Sequence, residues 1–176
     1  MKPMTVDHAE FWLHDVLLGA LKNEHRITKT VIEAIPADKG DYRPDPYAKS
    51  ANELAWHIAM AEIRFLETVL NGAFDASPRP QPESIKTSAD IAAFYVEGFE
   101  KNLAKLAQLH GEALIKIVDF RGLFQLPAVS FAQISILHSA HHRGQLSTYL
   151  RPMGSKVPAI YGESYDSAQA RKAAQG

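Results

Sequence analysis

Apolar residues recur along most of the chain with the period of an α-helix, and prolines and glycines divide this pattern into four long segments. The first segment covers about residues 7–35 and ends before Pro36. The second begins at Ser50, whose hydroxyl is followed three residues later by a carboxylate, the spacing of a helix capping box. Gly72 is a typical stop after the second helix. The first half of the chain therefore predicts two long amphipathic helices.

The second half of the chain contains two more helical segments. The proline-rich residues 77–82 cannot be helical, because proline lacks a backbone donor and restricts the residue before it. A third segment then begins near Ser88 and continues towards Leu109. The fourth has Pro127 in its first turn, a position that suits proline, and it ends at residues 152–154.

The stretch between the third and fourth segments, residues 111–127, is ambiguous. Its apolar run at residues 114–118 is compatible with a continued helix and equally with a short strand. We predict a helix that ends near Val118, and the strand is the alternative.

Four long amphipathic helices favour an all-α fold, a four-helix bundle in which each apolar stripe faces a common core. We predict a single domain over residues 1–166. The chain beyond the fourth helix contains proline and glycine and predicts an extended C-terminal tail, of which residues 167–176 are expected to be flexible.

Composition narrows the function classes. The length of 176 residues suits one domain with one hydrophobic core. The 19 Lys and Arg residues nearly balance the 20 Asp and Glu residues, so that the formal net charge is −1. This balance provides no strongly positive surface for nucleic acid or for an anionic membrane, so we expect neither as a partner.

The chain has no cysteine, which excludes disulfides, thiolate metal ligands and a cysteine nucleophile. Its apolar N-terminal stretch, residues 11–21, is interrupted by His14 and Asp15 and lacks a basic lead, so it is unlike a signal peptide. No stretch is long and apolar enough to cross a membrane. We therefore predict a cytoplasmic protein.

Candidate chemistry concentrates in the histidines. His138 and His142 lie one helical turn apart and differ by about 40° around the helix, so both rings project from one face and can bind one ion. His57 lies near the inward stripe of the second helix. His14 and His25 also share a helix face, but they lie about 16 Å apart along the axis and cannot share an ion.

Purely structural roles are the alternative for these rings. A lone histidine such as His57 on an inward face is more often a satisfied core residue than a ligand, and a neutral histidine pair can bond carbonyls or water. The combination favours a metal site, because three imidazoles lie on the inward faces of two helices and no thiol competes with them. Helix bundles build metal sites in this way, from side chains on facing helices.

Three motifs follow one another along the chain: Asn52–Ile58 around a histidine, Leu137–Leu146 with the pattern His-x-x-x-His-Arg-Gly-Gln, and Val157–Ser164 in the tail. Together they resemble the motifs of the DinB/YfiT-like family, and the resemblance covers about residues 7–166. The motif of the fourth helix is specific, whereas the other two are weaker alone and gain weight from their order.

The resemblance implies a four-helix bundle of up-down-down-up connectivity, often dimeric, that holds one divalent ion through three histidines. Carried over to this chain, the ligands are His57, His138 and His142. Zinc or nickel is the expected ion, with iron or manganese as alternatives, since imidazole ligands suit several of these metals. The expected partners are a small-molecule substrate and a second copy of the chain as a homodimer.

Three histidines leave a tetrahedral ion one position for water or substrate, as in catalytic sites. The resemblance favours an enzyme that activates a low-molecular-weight thiol for transfer to an electrophile, because characterised relatives use such thiols. The alternatives are a hydrolase that uses a metal-activated water and a non-catalytic or stress-related metal-binding bundle. Glu62 and His141 are the weak candidates for a catalytic base.

The remaining signature residues have structural interpretations. Gly144 weakens a helix by about 1 kcal/mol relative to alanine, which predicts a close helix crossing. Arg143 is expected to pair with carboxylates or the helix end. Gln145 is expected at the histidine site or on the neighbouring helix. Trp56 and Tyr149 are assigned to the core rather than to a substrate platform.

Overall fold

The computed structural model describes residues 3–175. In chain order its elements are α1 (Val6–Phe11), α2 (Leu18–Glu33), α3 (Ala51–Asn71), α4 (Ser88–Leu106), β1 (Ile117–Phe120), β2 (Phe124–Pro127), α5 (Ser130–Leu150) and α6 (Tyr165–Ala173). A π-helical stretch, Trp12–Leu17, joins α1 and α2 into one continuous first helix of the bundle. Among these residues no helix combines the length and the apolar character that crossing a membrane requires.

The helices α2, α3, α4 and α5 form the predicted four-helix bundle, in which α2 and α3 each pack against both α4 and α5. Ser88 at the start of α4 donates to the carbonyl of Ile35 after α2 (3.1 Å), so these helices are antiparallel. Asn52 at the start of α3 donates to a carbonyl just before α4 (3.1 Å), so α3 and α4 are parallel. Ser155 after α5 reaches Ala34 after α2 (2.6 Å), which makes α5 parallel to α2. The connectivity is therefore up-down-down-up, as expected.

Two apolar clusters fill the two ends of the bundle. One contains Leu17, Leu66 and Phe131, and the other contains Ile58 and Leu150. The polar layer separates them at mid-height and consists of the buried side chains Glu24, His25, Thr28, Glu62, Ser139 and Arg143. The histidines of the α3 and α5 motifs neighbour this layer in sequence, so they lie near the same level of the bundle.

The structure confirms the predicted bounds of α3. Ser50 Oγ accepts from the Glu53 backbone N–H (3.2 Å), and the Glu53 carboxylate accepts from the Ser50 backbone N–H (2.9 Å), which completes the capping box. Gly72 closes the helix with a φ of 60°, a left-handed conformation that glycine adopts without a steric penalty. Both ends of α3 are thus fixed by local chemistry.

The helix predicted to end near Val118 is wrong, and the strand alternative holds. Gly111, with a φ of 73°, is followed by a short 3₁₀ turn and then by β1, which pairs with β2 in antiparallel register. The turn between the strands has positive φ at Arg121 (57°) and Gly122 (72°), as tight hairpin turns require. Pro127 consequently ends β2, and α5 begins three residues later than the predicted first turn.

The C-terminal tail is extended only in part. Residues 155–164 contain no helix or strand, but Ser164 caps α6 through a capping box with Ser167. Asp166 accepts from the Val157 backbone N–H (2.8 Å) and pairs with Arg151 (2.9 Å). A capped helix therefore replaces the extended chain expected there, because these contacts tie it to α5. The domain boundary at residue 166 and the mobility beyond it stay predictions.

Candidate metal centre

The antiparallel packing of α3 against α5 brings three histidine rings together. His57 comes from α3, and His138 and His142 come from successive turns of α5. Their ring centroids lie 4.4–4.9 Å apart, and each ring offers a nitrogen within 4.8 Å of the other two. This is the one group of three or more His, Asp or Glu side chains that meets that distance within residues 3–175. We call it the histidine triad.

The triad has dimensions that suit a transition-metal ion. Tetrahedral coordination with metal–nitrogen bonds of about 2.0–2.1 Å places two ligand nitrogens roughly 3.3 Å apart. His57 Nε2 and His142 Nε2 lie 3.2 Å apart, close to that separation. His138 Nδ1 is buried without a hydrogen-bond partner in the described part of the chain. An orphaned imidazole nitrogen beside two others fits a site that could hold a metal ion.

Gln145 sets the tautomer of His142. The Gln145 Oε1 atom can only accept, so the His142 Nδ1–H donates to it over 2.7 Å. The Gln145 Nε2 atom donates in turn to His141 Nε2 (3.2 Å). In the neutral ring this leaves the lone pair of His142 on Nε2, which faces His57. A ligating histidine ordinarily has its other nitrogen held by such a neighbour.

The environment keeps the triad neutral. Burial, followed by the charges of His142 and Lys49, lowers the pKa of His57 to about 4. Burial, followed by the neighbouring histidines, lowers the pKa of His138 to about 3. The pKa of His142 is also lowered, chiefly by burial, although its hydrogen bond to Gln145 acts in the opposite direction. Neutral imidazoles with free lone pairs are the form that binds a metal ion.

Two clefts open onto the triad. The aromatic cleft, of about 570 Å³, reaches His57 and His138. The polar cleft, of about 600 Å³, reaches His142. Lys49 lines both. The walls of the aromatic cleft include Trp56, Phe65, Phe74 and Phe120. The walls of the polar cleft include Asp45, Gly144, Gln145, Thr148 and Tyr149.

The two predicted base candidates lie in different places. Glu62 is buried in the polar layer, where it accepts from Ser139 Oγ (2.6 Å) and lies 3.6 Å from His25 Nδ1. Its carboxylate is not part of the triad. His141 is exposed and is linked to His142 through Gln145. A catalytic role for either residue stays a prediction.

Arg143 confirms the expected pairing with a carboxylate. Its side chain is 1% exposed and lies 2.7 Å from the Glu24 carboxylate. It also donates to Thr28 Oγ1 (3.1 Å) and to the hydroxyl of Tyr161 from the C-terminal tail. The Tyr161 hydroxyl donates onward to Glu24 (2.8 Å). We call these four residues the arginine cluster.

The close helix crossing predicted at Gly144 is absent. A Cβ atom placed there meets no heavy atom within 4 Å, because the residue faces the polar cleft rather than a neighbouring helix. The core assignment holds for Tyr149, which is buried, but Trp56 is half-buried and lines the aromatic cleft. The geometric argument that kept His14 and His25 apart is confirmed, since His14 bonds the Leu109 carbonyl and His25 lies in the polar layer.

Sequence reasoning missed several residues that line the site. Arg64 follows His57 by seven residues and therefore shares its face of α3, so helical geometry alone could have identified it. Phe74 comes from the loop after α3, and Phe120 comes from the hairpin. No local pattern marks these two aromatics as neighbours of the triad, because they are distant from it in sequence.

Comparison with known proteins identifies the family that the sequence motifs resemble. The model of the DinB family matches residues 6–174. The uncharacterized protein YjoA of Bacillus subtilis (strain 168) is 32% identical over 140 residues, which cover 78% of this chain and 89% of YjoA. The uncharacterized protein YrdA of the same organism is 33% identical over 110 residues, which cover 62% and 64% of the two chains.

Two crystal structures have a similar fold. One is the DinB-like protein YjoA from Bacillus subtilis, with a TM-score of 0.68, 23% identity, and coverage of 84% of this chain and 99% of that one. The other is a DinB-like protein from Bacillus cereus ATCC 10987, with a TM-score of 0.69, 22% identity, and coverage of 82% and 95%. At these identities the likeness concerns the fold.

Proposed function

The chain belongs to the DinB family, and from this premise we propose that it is a metal-dependent enzyme that transfers a low-molecular-weight thiol to an electrophilic small molecule. One observation carries the proposal: two separate clefts meet at a triad of neutral imidazoles. A transfer reaction needs room for two organic reactants, whereas hydrolysis of a single substrate needs room for one.

The residues of the triad and their neighbours have defined tasks in this proposal. His57, His138 and His142 would hold the ion, and Gln145 keeps the Nε2 lone pair of His142 directed into the site. When bound, a divalent ion would supply Lewis acidity that lowers the pKa of a coordinated thiol. The walls of the aromatic cleft would exclude water from the electrophile.

The reaction balances with a halogenated arene as the electrophile. The sulfur contributes an electron pair to a new carbon–sulfur bond, and the halide leaves with the pair of the broken carbon–halogen bond. The thiol proton passes to the solvent. The chain supplies no thiol, because it has no cysteine, so the thiol must enter as a second small molecule.

The first test is elemental analysis of untagged protein purified without added metal. We expect one equivalent of transition metal per chain, zinc or nickel before iron or manganese, and loss of that metal in His57→Ala, His138→Ala and His142→Ala. The matched control is His8→Ala, because His8 is exposed on α1 and lies outside the triad. Retention of metal by the His57 variant would remove that residue from the ligand set.

The second test is conjugation of a chlorodinitroarene to several small thiols by the metal-loaded protein. We expect turnover that needs both metal and thiol and is lost in His142→Ala. Turnover of an activated ester without thiol would replace the proposal with a hydrolase. Absence of metal after reconstitution would leave a non-catalytic bundle.

We propose in addition that the protein is a cytoplasmic homodimer. Light scattering of the purified chain measures the assembly, and twice the mass of 19.5 kDa is the expected result. A single-chain mass at micromolar concentration would contradict it.

A further inference from the structure

We propose that the aromatic cleft binds an organic anion, a flat apolar molecule with a single negative group that Arg64 receives. This inference rests on the proposed function in one respect: the anion would be the electrophilic reactant.

The walls of the aromatic cleft suit a flat apolar body. Phe74 and Phe120 meet edge to face with ring centroids 4.5 Å apart, and Phe65 lies 6.1 Å from Phe120. Trp56, on α3, also lines the cleft. Its volume of about 570 Å³ is in the range of small-molecule sites. Aromatic rings bind one another favourably in edge-on and offset arrangements, which such walls offer.

The charges that line the cleft do not cancel. Arg79 is paired with both Glu67 and Asp75, and Glu53 is paired with Arg43 (2.8 Å). Arg43 therefore balances Glu53, whereas the two carboxylates around Arg79 leave that group with one net negative charge.

Lys49 and Arg64 are the remaining cations of the cleft. Neither makes an ion pair within residues 3–175. Arg64 donates to the neutral carbonyl of Ser77 (2.8 Å), and its guanidinium lies 6.0 Å from the ring centroid of Phe74. Two unpaired cations against one surplus carboxylate leave the surroundings of the cleft with a net positive charge of one, which favours an anionic ligand.

Arg64 is placed at the distance of one ligand from the triad. It follows His57 by seven residues, which is about two helical turns on one face and roughly 10 Å along α3. A bicyclic arene carrying a carboxylate spans a similar distance. Its negative group at Arg64 would therefore leave the far edge of its ring beside the triad. Lys49 lies at the triad end of the cleft and adds to the positive electrostatic potential there, without a direct contact to the negative group of the ligand.

The test uses two probes of the same ring system and similar shape, the anion 2-naphthoate and the neutral 2-naphthamide. Calorimetric titration of the metal-loaded protein is expected to give naphthoate a dissociation constant lower by on the order of tenfold, a preference that weakens as salt is added. Arg64→Gln should remove most of the preference, and Arg64→Lys should retain part of it. Lys49→Gln should reduce it less. Arg26→Gln is the matched control, because Arg26 is exposed on α2 outside the cleft.

Equal affinities for the two probes would overturn the inference, and so would a preference that persists in Arg64→Gln. Repeating the titration after removal of the metal by a chelator separates this inference from the proposed function. If naphthoate bound by ligating the ion, the chelator would abolish the preference and the inference would fail. If the preference survives the chelator but no thiol is conjugated, the inference stands and the proposed function fails.

Discussion

His142 and Arg143 are neighbours in α5, yet their side chains lie in opposite environments. Arg143 is buried in the arginine cluster, where Glu24 balances its charge and two hydroxyl groups and the Glu24 carbonyl also accept its hydrogen bonds. His142 lies on a different face of α5 and is half-buried. Its Nε2 lone pair faces the ring of His57, beside the two clefts. One residue step, which is about 100° around the helix, separates a side chain paired with a carboxylate and hydroxyl groups from a ring that faces other imidazoles.

The difference shows how to tell a structural polar group from a functional one. Both groups are buried enough to make a missing partner costly. In the arginine cluster the chain supplies each partner, so the cluster holds helices and tail together. In the triad the chain leaves His138 Nδ1 without a partner, and His57 and His142 contact only each other through Nε2, beside clefts that small molecules can reach, so we expect a ligand from outside. Four predictions test this comparison.

The largest effect is expected from breaking the arginine cluster. Arg143→Met leaves the Glu24 carboxylate buried without a countercharge, which should lower the free energy of unfolding by about 3–5 kcal/mol. Urea denaturation measures this loss. The double variant Arg143→Met/Glu24→Gln should recover part of it, because the isolated charge is gone. A loss below about 1 kcal/mol in the single variant would make the cluster resemble an exposed ion pair.

Removal of a triad residue should affect metal binding more than folding. His138→Ala is expected to weaken metal binding by more than about 100-fold, beyond the usual effect of losing a neighbour that only orients a ligand. Competition with a chromophoric chelator measures the affinity. The metal-free variant should lose less stability than Arg143→Met does. The reverse ranking would mean that the triad is structural.

A smaller effect is expected at Gln145, which orients His142 without belonging to the triad. Gln145→Leu removes the acceptor for the His142 Nδ1–H and should lower metal affinity by about 10–100-fold. Gln133→Leu, the same substitution at a residue of α5 that lines neither cleft, is the matched control. Unchanged affinity in Gln145→Leu would show that the hydrogen bond does not tune the ligand.

Changes in pH should alter the stability of the metal-free protein through the triad. The folded-state pKa values of His57 and His138 are about 4 and 3, below the ordinary value of 6.5. Between these values the unfolded chain binds protons that the folded chain does not, so stability should fall as pH decreases from about 6.5 towards 4. Thermal unfolding at several pH values measures the slope. The variant His57→Gln/His138→Gln should flatten it, and an equal slope in this variant would contradict the assignment.

The sequence predicts the parts of the site that local periodicity encodes. His138 and His142 are one turn apart on one helix, so their convergence follows from helical geometry. The bounds of α3 follow from the cap at Ser50 and from Gly72, which act within a few residues. The place of His57 opposite these two rings needed the family resemblance, because no local rule sets how α3 and α5 align.

The parts that the sequence could not predict depend on distant contacts. The hairpin was missed because its signal is a turn of Arg121 and Gly122 inside an apolar run that also suits a helix. The partners of Arg143 come from α2 and from the tail, more than a hundred and nearly twenty residues away respectively. The open surroundings of Gly144 likewise depend on where the loop before α3 lies.

The arginine cluster also limits how far the metal site can adapt. Rotation of α5 about its axis would pull Arg143 away from Glu24 and Tyr161. These contacts therefore fix the rotational position of the helix that carries two of the three rings. The spacing of those rings is therefore imposed on any ion rather than adjusted to it. Such a rigid template discriminates among ions of similar affinity by radius and preferred geometry. Substitution of Tyr161, which is nineteen residues from His142 in sequence, would then broaden the range of ions that the triad could hold.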